Sequence, residues 1–320
     1  MKILVFGKDG QLGKAFREEL EVRTSSLLAK PLIQYVGRSE CDLTNTVALE
    51  QLLNQFQPQL IINASAYTAV DKAEVESDLA FAINARAPEI MAQYAADHSA
   101  TFLHYSTDYV FDGEKYGYYL EDDLRNPLGV YGKSKAAGEE GIARVFDTVG
   151  GDGQYAIFRT SWVYGDGGNF IRTILRLAKE REELKIIDDQ YGVPTSAAWL
   201  AQVSLNLVAD EGLNIKEFPS GIYHAVPAGE TTWHGLATLV VQSAFEAGVT
   251  MKAARDAIKP IPSVEYPLPA PRPMNSRMST DKLRKVFEAR GDMSKLQQLN
   301  HSWSESVKTY ISNLAKDGLI

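Results

Sequence analysis

The feature that most constrains the fold lies at the start of the chain. Ile3 to Phe6 is a short apolar run, Gly7-Lys8-Asp9-Gly10-Gln11-Leu12-Gly13 sets a glycine at every third position, and Ala15 to Leu20 has helical periodicity. A strand that turns on glycines into a helix is the opening unit of a doubly wound α/β sheet. Glycines let the backbone approach a pyrophosphate closely, and the N-terminus of the following helix attracts its charge. Gly7, Gly10 and Gly13, with Gln11 and Leu12 in the first turn, are therefore candidate cofactor-binding residues. The spacing is GxxGxxG rather than GxGxxG, and a purely structural turn can carry the same three glycines.

The rhythm of this first unit continues. Leu32 to Val36 reads as a second strand and ends at Gly37-Arg38; a helix follows from about Val47 to Phe56, stopped by Pro58. An acidic residue near the end of such a strand holds a ribose 2′-hydroxyl, whereas an arginine accommodates a 2′-phosphate. Arg38 thus points to NADP(H), with NAD(H) as a second cofactor, unless it is simply a solvated surface side chain. Asp42 either meets an adenine edge or takes part in the turn before the helix. Leu60 to Ala66 reads as a buried strand with a small, polar end, and Asp71 to Glu74 and Leu79 to Ala96 read as helical, with Asn84 inside. Thr101 to Tyr105 and Ala156 to Tyr164 complete the strands. Open α/β sheets keep ligands at the C-terminal ends of their strands, where Ser106 and Thr107 would lie.

Tyr131 and Lys135 are four residues apart in a predicted helix from Tyr131 to about Val145. That spacing puts a phenol and an ammonium on one face, one turn apart. Two unit charges ~4 Å apart at an effective dielectric of about 20 interact by roughly 4 kcal/mol, enough to bring a phenol from about 10 towards neutral pH. A tyrosine so tuned suits general acid catalysis. The same spacing also arises by chance in many helices.

Composition narrows the field. The chain has 320 residues, 45% of them hydrophobic and 23% charged, which suits a soluble globular protein with a large α/β domain or one carrying a smaller lobe. A net charge of -8, with no basic, aromatic-interleaved window, excludes an electrostatic footprint for nucleic acid. Cys41 is the single cysteine, so there is no intrachain disulfide or multi-cysteine metal site, and the five histidines lack spacing such as HExxH. The first apolar run is too short for a signal segment or a membrane span, so a cytoplasmic protein is expected.

Beyond Gly165 the pattern changes. Helices are expected at Asn169–Glu180, Ala197–Val208 and Thr231–Gly248, strands at Leu184–Ile187 and Ile222–Val226, and an extended turn at Asp188–Thr195. Pro260 to Pro273 holds six of the 13 prolines and forms a stiffened strap delivering Arg272 and Arg277. These arginines are either a local positive site for a phosphorylated ligand or surface charges. Helices near Asp281–Phe287 and Trp303–Ala315 end the chain. The expected division is a nucleotide-binding domain of residues 1–165 and about 196–226, with a substrate lobe of about 166–195 and 227–320.

Taken together, GKDGQLG, NASA at Asn63 to Ala66, STDYVFDG at Ser106 to Gly113, YGKSK at Tyr131 to Lys135 and RTSWVYG at Arg159 to Gly165 resemble the extended short-chain dehydrogenase/reductase family. DQYGVPTS at Asp188 to Ser196 and RPMNSR at Arg272 to Arg277 extend the likeness to its dTDP-4-dehydrorhamnose reductase branch. The resemblance implies a Rossmann fold and a ketone reduction in which Tyr131 donates a proton, Thr107 bonds the same oxygen, and Lys135 lowers the phenol pKa and holds the nicotinamide ribose. It further implies cofactor contacts at Asp42, Leu43, Ala64, Ser65, Ala66 and Asn84. Substrate contacts would come from Val70, Thr107, Tyr109, Trp162, Arg272 and Arg277.

Relatives that dehydrate nucleotide sugars carry Asp then Glu directly after this threonine. Asp108-Tyr109 lacks the second acid, which favours simple carbonyl reduction. Some members of the branch bind a metal at a dimer interface through a carboxylate in the first helix, where this chain has Ala15, so monomer and homodimer both stand and no metal is expected. Two other readings share the scaffold: another nucleotide-sugar 4-ketoreductase, and a non-catalytic cofactor-holding subunit like the regulatory subunit of methionine adenosyltransferase.

Overall fold

The computed structural model describes residues 1–320 and is built on a six-stranded, all-parallel sheet. Its strands are β1 (Lys2–Phe6), β2 (Leu32–Val36), β3 (Leu60–Asn63), β4 (Thr101–Thr107), β5 (Gln154–Thr160) and β6 (Gly221–His224). In space the order is β6-β5-β4-β3-β1-β2. The chain leaves β1 for β2 on one side and then crosses to β3 on the other, so the topological switch point, where such sheets bind ligands, falls between β1 and β3.

The inner strands β1, β3, β4 and β5 are buried on both faces, which explains their continuous apolar runs. Ile3, Val5, Leu60, Ile62 and Leu103 point into one core, with α1 (Gln11–Thr24) and α6 (Ala197–Val208) over them. The alternate residues Leu4, Phe6, Ile61 and Phe102 point into the other, under α2 (Thr46–Phe56), α3 (Ala87–Asp97) and α4 (Val130–Val149). A third core forms around α5 (Phe170–Glu180), α7 (Trp233–Glu246) and α10 (Trp303–Lys316). No helix is long and apolar enough to cross a membrane.

Several elements differ from the sequence expectation. β3 ends at Asn63, three residues early, because Ala64 to Ala69 leave the ladder to line the cleft described below. The helix expected over Leu79–Ala96 is Ser77–Phe81 and α3 joined by a π-helical turn, Ala82–Arg86. The strand expected to reach Tyr164 breaks after Thr160, and Trp162 takes φ of 49° before the short strand Val163–Tyr164 pairs with Thr195–Ser196. The proline strap begins as a true strand, Ile258–Ile261, parallel to Leu184–Ile187. Between α8 (Asp281–Ala289) and α10, the unforeseen helix α9 spans Met293–Leu299.

The placement of α4 is the feature that matters most for the site. Gly132 and Gly138 bring it against its neighbours so closely that an added Cβ would lie 2.1 Å from the carbonyl oxygens of Tyr109 and Asn84, respectively. Glu139 then locks it to β5: Arg159 donates to Glu139 through Nε at 2.9 Å and Nη2 at 2.7 Å, with both side chains essentially excluded from solvent. Arg125 adds a 3.3 Å contact from the loop before the helix. Breaking a buried pair from one side leaves an uncompensated charge, so Glu139→Ala is expected to reduce the unfolding free energy by about 3–5 kcal/mol, measured by urea titration.

Candidate active site

A cleft of about 920 Å³ opens over the C-terminal ends of β1, β3, β4 and β5. At its base the three glycines of the first turn have separate tasks. Gly7 has φ of 84°, and a Cβ there would sit 2.7 Å from the backbone of Ala64 and Ser65. Gly13 is packed beneath the turn, its virtual Cβ 2.0 Å from the Gly7 carbonyl oxygen. Gly10 is different: a Cβ would meet nothing nearer than the Gly7 oxygen at 3.4 Å and would project into open space. It also caps α1 without a side-chain bond, so the N–H groups of Gln11 and Leu12 have no helical acceptor. This cradle fits a dinucleotide pyrophosphate.

Gly7, Gly10, Gln11, Leu12, Ala64, Ser65 and Ala66 all line the cleft, as do Arg38, Asp42 and Leu43 at its far end. Arg38 extends into solvent there, 3.7 Å from Asp42. Asp42 accepts from the backbone and hydroxyl of Thr44, which holds its carboxyl below the usual range. The Gln11 side chain accepts from Gly165 N at 2.7 Å and from Asn169, tying the turn to the lobe beyond. Two buried hydroxyls of residues on the cleft wall, Ser106 Oγ and Thr160 Oγ1, have no hydrogen-bond partner.

Gly13 and Asn84 do not line the cleft. Asn84 sits on the π-helical turn, fully buried, where it accepts from Tyr67 N at 2.8 Å and donates to Tyr67 O and Ser134 Oγ, both at 3.0 Å. It braces the cleft wall Ala66–Ala69 against α4.

Thr107, Tyr131 and Lys135 meet at the centre of the same cleft. Thr107 ends β4; its hydroxyl donates to Asp108 Oδ1 at 2.8 Å and accepts from Tyr109 N at 3.2 Å. The other Asp108 oxygen accepts from Ser276 on the strap. Burial raises this carboxyl to about 6 against the pull of its hydrogen bonds. Tyr131, in the first turn of α4, stands edge-on to Tyr109, with ring centroids 5.4 Å apart. Val70 and Trp162 complete this part of the wall.

The electrostatics depart from the sequence expectation. Burial pushes Tyr131 up to about 12, and the negative charge of Asp108 adds to the rise, with the Thr107 hydroxyl pulling the other way. Lys135 contributes no lowering. Its Nζ instead donates to the Tyr105 carbonyl and lies 3.2 Å from His104 Nε2, and burial brings its own pKa down to about 8 against the opposing pull of Glu139. The site therefore holds a firmly protonated phenol beside a lysine that is easily discharged.

Arg272 and Arg277 are not among the cleft residues. Arg272 makes a bidentate pair with Asp71 at 2.7 and 3.0 Å, fastening the strap to the short helix Val70–Ala73. Arg277 bonds Asn275 at 2.8 Å and Glu230 at 3.3 Å and lies between the rings of Tyr118 and Tyr191. Both guanidiniums face carboxylates, Asp71 for Arg272 and Glu230 for Arg277. Residues that the sequence reading left out include Trp233, which stacks on Trp162 with centroids 3.6 Å apart, and Tyr67, Thr68 and Asp166 on the wall. Their proximity arises from pairings distant in sequence that no local pattern announces.

The RmlD substrate binding domain family matches residues 1–315. The chain is 42% identical to dTDP-4-dehydrorhamnose reductase of Salmonella typhimurium over 290 residues, covering 90% of this chain and 92% of that protein. A crystal structure of a dTDP-4-dehydrorhamnose reductase from Clostridium acetobutylicum superposes with a TM-score of 0.82 at 33% identity, covering 98% of this chain and 99% of that one. A Bacillus anthracis dTDP-4-dehydrorhamnose reductase solved in complex with NADP gives 0.81 at 31% identity with the same coverage. With a continuous match from the glycine turn to the last helix, the chain belongs to the RmlD-type family of dTDP-4-dehydrorhamnose reductases.

Proposed function

We propose that the protein reduces the 4-keto group of dTDP-4-dehydrorhamnose to give dTDP-L-rhamnose, using NADPH. The observation that carries this reading is the convergence of Thr107, Tyr131 and Lys135 on one cleft whose base is a pyrophosphate cradle. NADPH, bound there, supplies the hydride.

The residues of the chain supply placement and a proton. A phenol held near 12 keeps its hydrogen throughout the neutral range, as an acid in a reduction must. Hydride addition turns the ketone oxygen into an alkoxide more basic than a phenolate, and Tyr131 gives it the proton. Thr107 sits beside the phenol, and its one hydroxyl hydrogen, given to Asp108 Oδ1 here, swings to the same oxygen when substrate binds. Lys135 is placed, one turn further along α4, to hold the ribose and to offset the tyrosinate left behind. Tyr109, Trp162 and Val70 form the apolar and aromatic side on which the sugar rests, and Asp108-Tyr109 provides one carboxyl where elimination of water needs two.

The decisive assay is loss of NADPH or NADH absorbance with dTDP-4-dehydrorhamnose; absence of turnover with either cofactor would refute the reading. Tyr131→Phe is expected to lower kcat by about 10²–10⁴-fold with NADPH binding retained by fluorescence titration; wild-type turnover in this variant would remove the tyrosine from its role. The pH profile should show kcat/KM level at neutral pH and falling as pH rises through about 8, because the Lys135 charge, present below that value, is lost above it. Tyr131 remains protonated across this range, so it does not generate the limb. Arg38→Glu is expected to reduce kcat/KM for NADPH about tenfold or more relative to NADH, measured as the ratio of the two.

A further inference from the structure

His104 lies in the middle of β4 with no solvent exposure, and the reaction above makes no use of it. Its ring nitrogens face two side chains: Nδ1 is 3.1 Å from Asn63 Nδ2, and Nε2 is 3.2 Å from Lys135 Nζ. The direction of the first bond is fixed from outside. The backbone N–H of Ser65, which can only donate, reaches the opposite side of the Asn63 amide at 3.2 Å, and the Ser65 hydroxyl joins it. That atom must be the acceptor Oδ1, so the amide NH₂ faces the imidazole. A neutral imidazole that accepts at Nδ1 carries its hydrogen on Nε2, and this hydrogen points at Lys135.

An ammonium has only donors to offer. With Lys135 charged, two donors stand face to face somewhere in the chain: Nε2 against Nζ or, after tautomer exchange, Nδ1 against Asn63. A neutral amine accepts from Nε2 while still donating to the Tyr105 carbonyl. The other titratable groups near Nζ lie on α4 and at the end of β4. Glu139, one turn along, favours the charge but is bound by Arg159 and Arg125; Tyr131 lies one turn back, with Asp108 beyond it.

We propose that Asn63 and His104 are positioning residues for Lys135, the last two links of a Ser65–Asn63–His104 chain that presents a donor to the lysine amine and works against its charge. The inference rests on the catalytic role proposed above for Lys135. Its first link, Ser65, lines the cofactor cleft, so a ligand that draws Ser65 away frees the amide to turn, reverses the chain and lets Lys135 take up a proton.

Long-range ¹⁵N–¹H NMR of the histidine rings in the full-length protein tests the chain without reference to turnover. His104 is expected to be neutral, with its hydrogen on Nε2, from about pH 6 to 9. An Nδ1–H tautomer or a cationic ring over that range would overturn the proposal. Asn63→Asp puts an acceptor opposite Nδ1, which should move the hydrogen there, turn Nε2 into an acceptor for Lys135 and raise the basic limb of kcat/KM by about one pH unit or more. His104→Gln, whose amide oxygen can face Nζ, should raise it by less and lower kcat about tenfold. Folded variants that bind NADPH and keep the wild-type limb would refute the positioning role. If the wild type reduces nothing, the proposed reaction fails and the tautomer still decides whether the chain exists.

Discussion

The site depends on how closely α4 is pressed into the sheet. Several groups that distinguish the cleft from an ordinary nucleotide pocket are carried by this helix or touch it: Tyr131 and Lys135 on its inner face, Ser134 beneath Asn84, and Gly132 under the Tyr109 carbonyl. Two glycines permit the approach, and the Glu139–Arg159 pair makes it permanent. A pair so deeply buried gains little net stability after desolvation. What it does fix is the rotational setting of the helix, because a bidentate bond admits one orientation and Lys135 lies one turn before Glu139.

That closeness also determines the chemistry. Solvent exclusion acts against the charged form of every titratable group at the centre, raising Tyr131 and Asp108 and lowering Lys135. The sequence pattern pointed to a phenol drawn towards neutrality by its lysine. The packed site instead keeps the phenol protonated and weakens the lysine charge. For the reduction proposed above this is the useful polarity, since a tyrosine that is to give a proton then begins the cycle holding it.

The sequence disclosed what depends on local spacing. The strand, glycine turn and helix at Ile3 to Leu20, the strand-end Thr107 and the four-residue interval from Tyr131 to Lys135 survive folding as written, because period and position decide where those side chains point. The setting of Arg272 was not legible for the opposite reason. Its partner Asp71 is 201 residues away, and pattern alone cannot show that a guanidinium is already matched. Asn84 lay inside a correctly foreseen helical region, but the π-helical turn that aims its amide at Tyr67 has no signature in the spacing of apolar residues. His104 gave no signal because its meaning comes from partners 41 and 31 residues distant.

The strand order carries a consequence for biosynthesis of the chain. β1 is made first yet sits inside the sheet, between β2 and β3, and one of its two apolar faces is covered by α6, which is not complete until Val208. A nascent chain that has already assembled β1 to β5 has α1 over that side but still lacks α6, so Ile3, Val5, Ile62 and Leu103 are only partly covered. Parallel pairing over such separations is slow and leaves sticky intermediates, so the ribosome-bound protein passes through a long interval with one face of its sheet incompletely covered. Truncation before α6 would remove that part of the cover and bare the apolar residues beneath it.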